Sequence, residues 1–223
     1  MNAAIECWSI DHRFEGPTSE QAVLRDVSLT LGNGDTCVLL GPSGSGKTTL
    51  LSIMGCLLRP TAGDVLVAGQ SLDWRDAAQL ARMRRRQIGF IFQHARLLPF
   101  LTVSENVALA GENAGTPDVQ KRVDALLARL DLSDAAEKRP GELSGGQRQR
   151  IAVARALVHA PAVVLADEPT ASLDWDNGAI VVDLLLRHAK EAGAAVLTVT
   201  HDQRLIPRFQ RAYTLDRGRL VNE

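Results

Sequence analysis

Four short stretches place polar side chains where phosphate chemistry needs them. The first is "GPSGSGKTT", residues 41–49. Gly41, Gly46, Lys47 and Thr48 fit the spacing G-x-x-x-x-G-K-[ST], between an apolar strand pattern and an apolar helix pattern, which is the context of a phosphate-binding P-loop. In such a loop the backbone N–H groups of the run Gly41, Ser43, Gly44, Ser45, Gly46 and Thr49 are placed to face phosphate oxygens, and the following helix adds its positive end. Lys47 would reach the β- and γ-phosphates and the Thr48 hydroxyl would ligate Mg2+. The second stretch, "VVLADEP" (163–169), is an apolar strand ending in Asp167 and Glu168, at the carboxyl end where α/β sheets bind ligands. Asp167 suits a ligand of a metal-bound water, and Glu168 a group that polarises an attacking water. "THD" (200–202) brings His201 to the end of another apolar strand, where it can donate to a γ-phosphate. Gln93, after "IGFIF", can reach the metal and water from a third strand end. Taken singly, His201 and Gln93 are ordinary polar residues after strands; beside a P-loop they form a set.

"ELSGGQRQR" (142–150) raises a different question. Ser144 and Gln147 have the S-x-x-Q spacing of a helix capping box, but a capping box needs no glycines. Gly145 and Gly146 are poor residues for a first helical turn. They leave bare amides at a helix N-terminus, a phosphate-binding arrangement like that of residues 44–48. One chain already has one P-loop, so the question is whose phosphate this second site meets.

Positioning these residues requires a particular set of elements. Leu24, Val27, Leu29 and Leu31, then "CVLL" (37–40), read as strands separated by the turn "GNGD" (32–35). "GDVLVAG" (63–69) and "IGFIF" (88–92) read as short strands, and "AVVLA" (162–166) and "AAVLTVT" (194–200) as strands of a parallel sheet covered on both faces. Between the last two, "NGAIVVDLLLRHAKEAG" (177–193) is helical and stops at Gly193, giving a βαβ unit. From Pro99 to Val158 the pattern turns helical, with Val119, Val123, Leu126, Leu127 and Leu130 on one helix face. The expectation is one α/β domain over 1–223, with a core from 1–93 and 159–223 and a helical insert over 94–158.

The totals narrow the classes. A net charge of −1 gives no global basic field for nucleic acid. The longest apolar runs fall short of the roughly 20 residues of a membrane span, so a membrane role has to pass through a partner. The N-terminal "MNAAIECWSIDHRF" has polar residues where a signal peptide needs an apolar stretch. Cys7, Cys37 and Cys56 are odd in number and widely spaced, which fits a reducing compartment and inert core thiols, with Cys37 in a strand and Cys56 in an apolar helix. Arg82, Arg84, Arg85 and Arg86 read as a solvated helix end, or as a contact for a partner or lipid headgroups.

The order "GPSGSGKT", "FIFQ", "LSGGQ", "VVLADEP", "SLD", "THD" resembles the nucleotide-binding subunit of an ATP-binding cassette (ABC) transporter over essentially the whole chain. The resemblance implies a P-loop NTPase fold, a RecA-like core with an N-terminal antiparallel β subdomain and an inserted α-helical subdomain carrying "LSGGQ". It implies ATP and Mg2+ as ligands, Glu168 as general base, His201 as γ-phosphate switch and Gln93 as sensor of magnesium and partner. It implies that Asp174 in "SLD" helps join two subunits and that Phe14 stacks on adenine. Ser144, Gly145, Gly146 and Gln147 would then face the ATP of a second copy, making the working enzyme a homodimer. "RRRQIGFIFQHARLLPFLTVSENV" (84–107), "LADEPTASLD" (165–174) and "THDQRLI" (201–207) are similar to the lipoprotein-releasing, macrolide-exporting and glycolipid-exporting group, although Ala171–Ser172 departs from the Gly-Asn or Gly-Ala often found there. That group implies an integral membrane permease and a peripheral place on the cytoplasmic face of the inner (plasma) membrane; the segment 94–107, which follows Gln93 and carries the apolar "LLPFL", reads as the permease contact or as core of the helical subdomain. With "LDRGRLVNE" closing the sequence, the expectation is a cassette without the extra C-terminal regulatory domain of many sugar-importer ATPases. A purely mechanical role at the envelope and a soluble cassette are the alternatives; the latter is disfavoured because neither a second cassette nor a long coiled coil is present.

Overall fold

The computed structural model describes residues 3–15 and 20–222; Met1, Asn2 and Glu223, which belong to the terminal stretches read above, lie outside the described residues. In chain order the elements are β1 (Ala3–Glu15), β2 (Glu20–Gly32), β3 (Thr36–Leu40), α1 (Lys47–Met54), β4 (Ala62–Val67), β5 (Gln70–Ser71), α2 (Ala77–Arg86) and β6 (Ile88–Ile91). Three helices follow, α3 (Val103–Ala114), α4 (Val119–Arg129) and α5 (Gly145–Leu157). The chain then closes with β7 (Val163–Asp167), α6 (Trp175–Ala192), β8 (Ala195–Val199), β9 (Arg211–Asp216) and β10 (Arg219–Asn222). One sheet has the order β2-β1-β4-β5 and pairs antiparallel throughout. The other has the order β10-β9-β3-β8-β7-β6 and is parallel except for the β9–β10 hairpin.

Strand alternation sorts the apolar runs between two cores. Cys37 and Leu39, Val163 and Leu165, and Ala195 and Leu197 face α1 and the antiparallel sheet, where they meet Leu50, Leu51, Ile53 and Met54. Val164, Ala166 and Val196 point the other way, against Ile151, Val153 and Ala154 of α5 and Val181 and Leu185 of α6. Val103 and Val107 of α3 and Val123 and Leu127 of α4 continue that second core. Burial on both faces is why β7 and β8 read as unbroken apolar runs. The expected β7–α6–β8 unit is present with its parallel strands adjacent.

Local chemistry sets the helix ends. Asp174 accepts from the Asn177 backbone N–H at 2.9 Å, so α6 begins two residues before the "NGAIVV" pattern. Gly193 ends it in the left-handed conformation. Thr102 and Glu105 close a capping box on α3. The apolar run after the P-loop is shorter as a helix than its pattern suggested. It stops at Met54, and Cys56 sits beyond it at φ +57°, so Cys56 is a buried residue of a turn and not of a helix. All three thiols are buried, and burial pushes each up to about 12, the state of unreactive core cysteines.

Candidate nucleotide site

The carboxyl ends of β3, β6, β7 and β8 open onto one cavity of about 800 Å³. Its walls hold Phe14, Ser43, Gly44, Gly46, Lys47, Thr48, Thr49, Gln93, Asp167, Glu168 and His201, drawn from stretches far apart in sequence. Gly41 and Ser45 stand behind this wall. Gly41 has φ +143°, and a Cβ there would come within 2.1 Å of the Leu215 carbonyl oxygen. At Gly46, φ is +105° and a Cβ would lie 2.8 Å from Leu24 Cδ2 and 2.9 Å from the Val23 carbonyl oxygen. Strands β9 and β2 therefore press the loop from behind, and only glycine fits.

Lys47 is the first residue of α1 and is buried. Its ammonium donates to the carbonyls of Gly41 at 2.8 Å and Pro42 at 2.9 Å. Burial lowers its pKa, against the pull of Glu168 and Asp167. The loop thus holds a cation at the floor of an open cradle: at Gly44 a Cβ would meet nothing within 4 Å.

Asp167 ends β7, is buried, and accepts from the Thr48 hydroxyl at 2.9 Å. The next residue, Glu168, takes a left-handed φ of +49°, fixed by its N–H bonding the Val199 carbonyl at 3.0 Å. This strained turn sends its carboxylate towards His201, whose Nε2 is 3.2 Å from Oε1. Burial pushes the Glu168 carboxyl up; the His201 charge opposes that shift, and Asp167 adds to it. Thr48, Gln93 and Asp167 offer only oxygen or amide groups at one end of the cavity, and no cluster of three or more His, Cys, Asp or Glu suited to a metal occurs among the described residues. That donor set fits Mg2+ carried by phosphates, since Mg2+ keeps most of its waters and needs one or two protein oxygens.

The "LSGGQ" residues and Asp174 do not line this cavity. The capping box is present, with Gln147 N–H to Ser144 Oγ at 3.2 Å and Ser144 N–H to Gln147 Oε1 at 2.9 Å. A Cβ at Gly146 would press on Leu173 Cδ2 at 3.1 Å. At Gly145 it would meet only the Arg148 guanidinium, at 3.8 Å, so nothing in its own chain explains that glycine.

Several cavity residues carried no role in the sequence reading: Gln21, Val23, Thr170 and Arg204 among them. Gln149 was also missed. It is buried in α5 and donates to the Phe92 carbonyl at 3.0 Å, fixing the backbone just before Gln93. Arg155 secures the next turn by bonding the carbonyls of Ala95 and Arg96. The second Gln of "GGQRQR" was the available signal, but its partner lies 57 residues away. Phe14 forms part of the wall, 46% exposed, with its ring edge-to-face with His12 at 4.6 Å.

A family model described as ABC transporter matches residues 24–171, which span the P-loop, "LSGGQ" and the Asp167–Glu168 pair. The chain belongs to the ABC transporter family. It is an ATPase cassette of that family. It is 42% identical over 225 residues to the lipoprotein-releasing system ATP-binding protein LolD 1 of Caulobacter vibrioides, covering 100% of this chain and 96% of that protein. It is 43% identical over 216 residues to the macrolide export ATP-binding/permease protein MacB of Burkholderia pseudomallei, covering 96% of this chain. The cassette spans only 33% of that exporter's length. Its fold matches the ATP-binding cassette MJ0796, solved as a dimer in a post-hydrolysis state bound to ADP and Pi, with a TM-score of 0.92 and 34% identity over 98% of both chains. It also matches cbiO1 from Clostridium perfringens, part of the complex cbiONQ, with a TM-score of 0.84 and 26% identity over 99% of this chain and 88% of that one. No helix among the described residues is long and apolar enough to cross a membrane.

Proposed function

We propose that the cassette hydrolyses ATP between two copies of itself and thereby drives a membrane permease that exports or extracts a lipid, lipoprotein or other hydrophobic compound. The observation that carries this reading is the convergence of Lys47, Thr48, Asp167, Glu168 and His201 on one cavity, while the turn at Gly145 does not line it. Lys47 and the loop amides bind the phosphates, with Ser43 to Thr49 around them. Thr48, Asp167 and Gln93 would hold Mg2+, which when bound neutralises phosphate charge. Phe14 offers its face to adenine. Glu168 takes a proton from the attacking water, and His201, released from Glu168, donates to the γ-phosphate. Ser144, Gly145, Gly146 and Gln147 of each copy close on the ATP of the other, with Asp174 beside the seam. Closure of the pair transmits force through the segment 94–158 as a helical subdomain moving on the 1–93 and 159–223 core.

The permease contact fits the segment 94–107. Phe100 is 65% exposed and Leu98 is partly exposed, while Asn106 anchors the loop by bonding Leu98 and the Leu101 and Thr102 carbonyls. Binding such a permease would place the cassette on the cytoplasmic face of the inner membrane. The similarity to a lipoprotein-releasing ATPase over nearly its whole length supports an envelope task.

Gly145→Asp tests the two-copy site. Asp at a first helical position favours the helix, and in its own chain the new side chain meets only Arg148, so the fold stays intact. ATP binding should remain at the wild-type Kd while turnover falls on the order of 10²-fold, because the new carboxylate crowds the backbone amides and repels phosphate. Wild-type turnover would refute the two-copy site. The acid limb of the kcat profile offers a second check. Glu168 must be unprotonated to act, and its pKa is raised by burial, so turnover is lost as pH falls through a value above the 4.5 of an ordinary glutamate. A limb at or below 4.5 contradicts the assignment of the base.

A further inference from the structure

"THDQRLI" continues past His201 into a tight turn. The Asp202 N–H donates to Thr200 Oγ1 at 3.1 Å, and the Leu205 N–H to the Asp202 carbonyl at 3.1 Å. The Asp202 carboxylate accepts three times from Arg204, from its backbone N–H at 3.0 Å, Nε at 2.9 Å and Nη2 at 2.7 Å. This two-pronged grip fixes the guanidinium plane in a way a lysine could not reproduce. The fixed plane lies over the Trp175 ring, 4.4 Å from its centroid. Trp175 is the first residue of α6 and directly follows Asp174, which is itself held by the Asn177 backbone and side chain. Arg204, Asp202 and His201 all line the nucleotide cavity, as does Leu173, the neighbour of Asp174. Leu205 belongs to the same small apolar cluster as Val182 of α6, so the turn is tied to that helix by apolar packing as well.

We propose that Arg204 is a positioning residue: forked to Asp202 and stacked on Trp175, it locks the His201 turn to the start of α6. His201 and Asp174 then move as one unit, so a phosphate drawn up by His201 also sets the seam residue Asp174. This rests on the reading of His201 as the γ-phosphate donor. Arg204 itself stays out of the reaction; its side chain sits at the rim, 66% exposed. The contact is therefore worth the modest amount of an exposed cation–π pair, and its effect belongs in the rate of closure and not in ATP binding.

Variants at Arg204 and Trp175 test this. Arg204→Ala should lower kcat about two- to fivefold at unchanged KM, and Trp175→Leu should match it. The double variant should be no worse than either single one. Trp175→Phe, which keeps an aromatic face, should restore wild-type kcat. In nucleotide-free protein the chain's three tryptophans give three indole N–H resonances. Arg204→Ala should shift the one missing from Trp175→Phe and leave the other two in place. Wild-type kcat in Arg204→Ala, additive losses in the double variant, failure of Trp175→Phe to restore kcat, or an unmoved indole resonance would each overturn the proposal. His201→Ala separates this from the parent reading. Wild-type turnover in that variant overturns the role of His201 itself, whereas an inactive His201→Ala beside a fully active Arg204→Ala overturns only the lock.

Discussion

Glu168→Gln abolishes turnover, by about 10²–10⁴-fold, and leaves ATP bound. The amide keeps the shape of the carboxylate and its place beside His201, whose Nε2 lies 3.2 Å from Oε1 in the wild type. What it lacks is the basicity to take a proton from water. It also removes a negative charge beside Asp167, where a γ-phosphate would come to lie, so ATP is held at least as firmly. Single-turnover measurements with bound ATP separate the two effects: ATP stays intact in the variant and is cleaved in the wild type. Hydrolysis at the wild-type rate would show that another group is the base.

Lys47→Ala acts one step earlier and loses ATP affinity itself, by about 10- to 100-fold, the range expected for charge-assisted bonds to phosphate. The lysine is buried in the loop with its ammonium on the Gly41 and Pro42 carbonyls. Those carbonyls are at the site, so ATP arriving there converts a cation satisfied by its own backbone into one shared with phosphate. Calorimetric titration with ATP reads the loss directly, and thermal unfolding without nucleotide checks that the loop still folds. An unchanged Kd would undo the phosphate assignment.

The placement of these two residues was legible in the sequence for one reason: each belongs to a contiguous stretch. A P-loop is a local structure, and so are an apolar strand ending in two carboxylates and a capping box, and each is present where the pattern put it. Strand β1 was not legible. Its buried residues, Ala4, Ile5, Cys7, Ile10 and His12, break the two-residue period because register shifts and a left-handed Ser9 interrupt the ladder with β2. Cys56 was assigned to a helix because an apolar run continues past Met54, and periodicity alone does not show that the backbone has turned. Arg204, Gln149 and Arg155 act through partners 29 to 60 residues distant, so their roles exist only once the chain is folded.

The glycine pair is the most informative case. Gly146 is explained within the chain by Leu173, whereas a Cβ at Gly145 would meet only the Arg148 guanidinium, at 3.8 Å. We propose that a second copy accounts for Gly145, and that is the central claim. Sedimentation of Glu168→Gln with saturating Mg2+ and ATP tests it most directly. The expected result is a particle of twice the 24.1 kDa of one chain that reverts to single chains in ADP. A single-chain mass with one ATP bound per chain would contradict it.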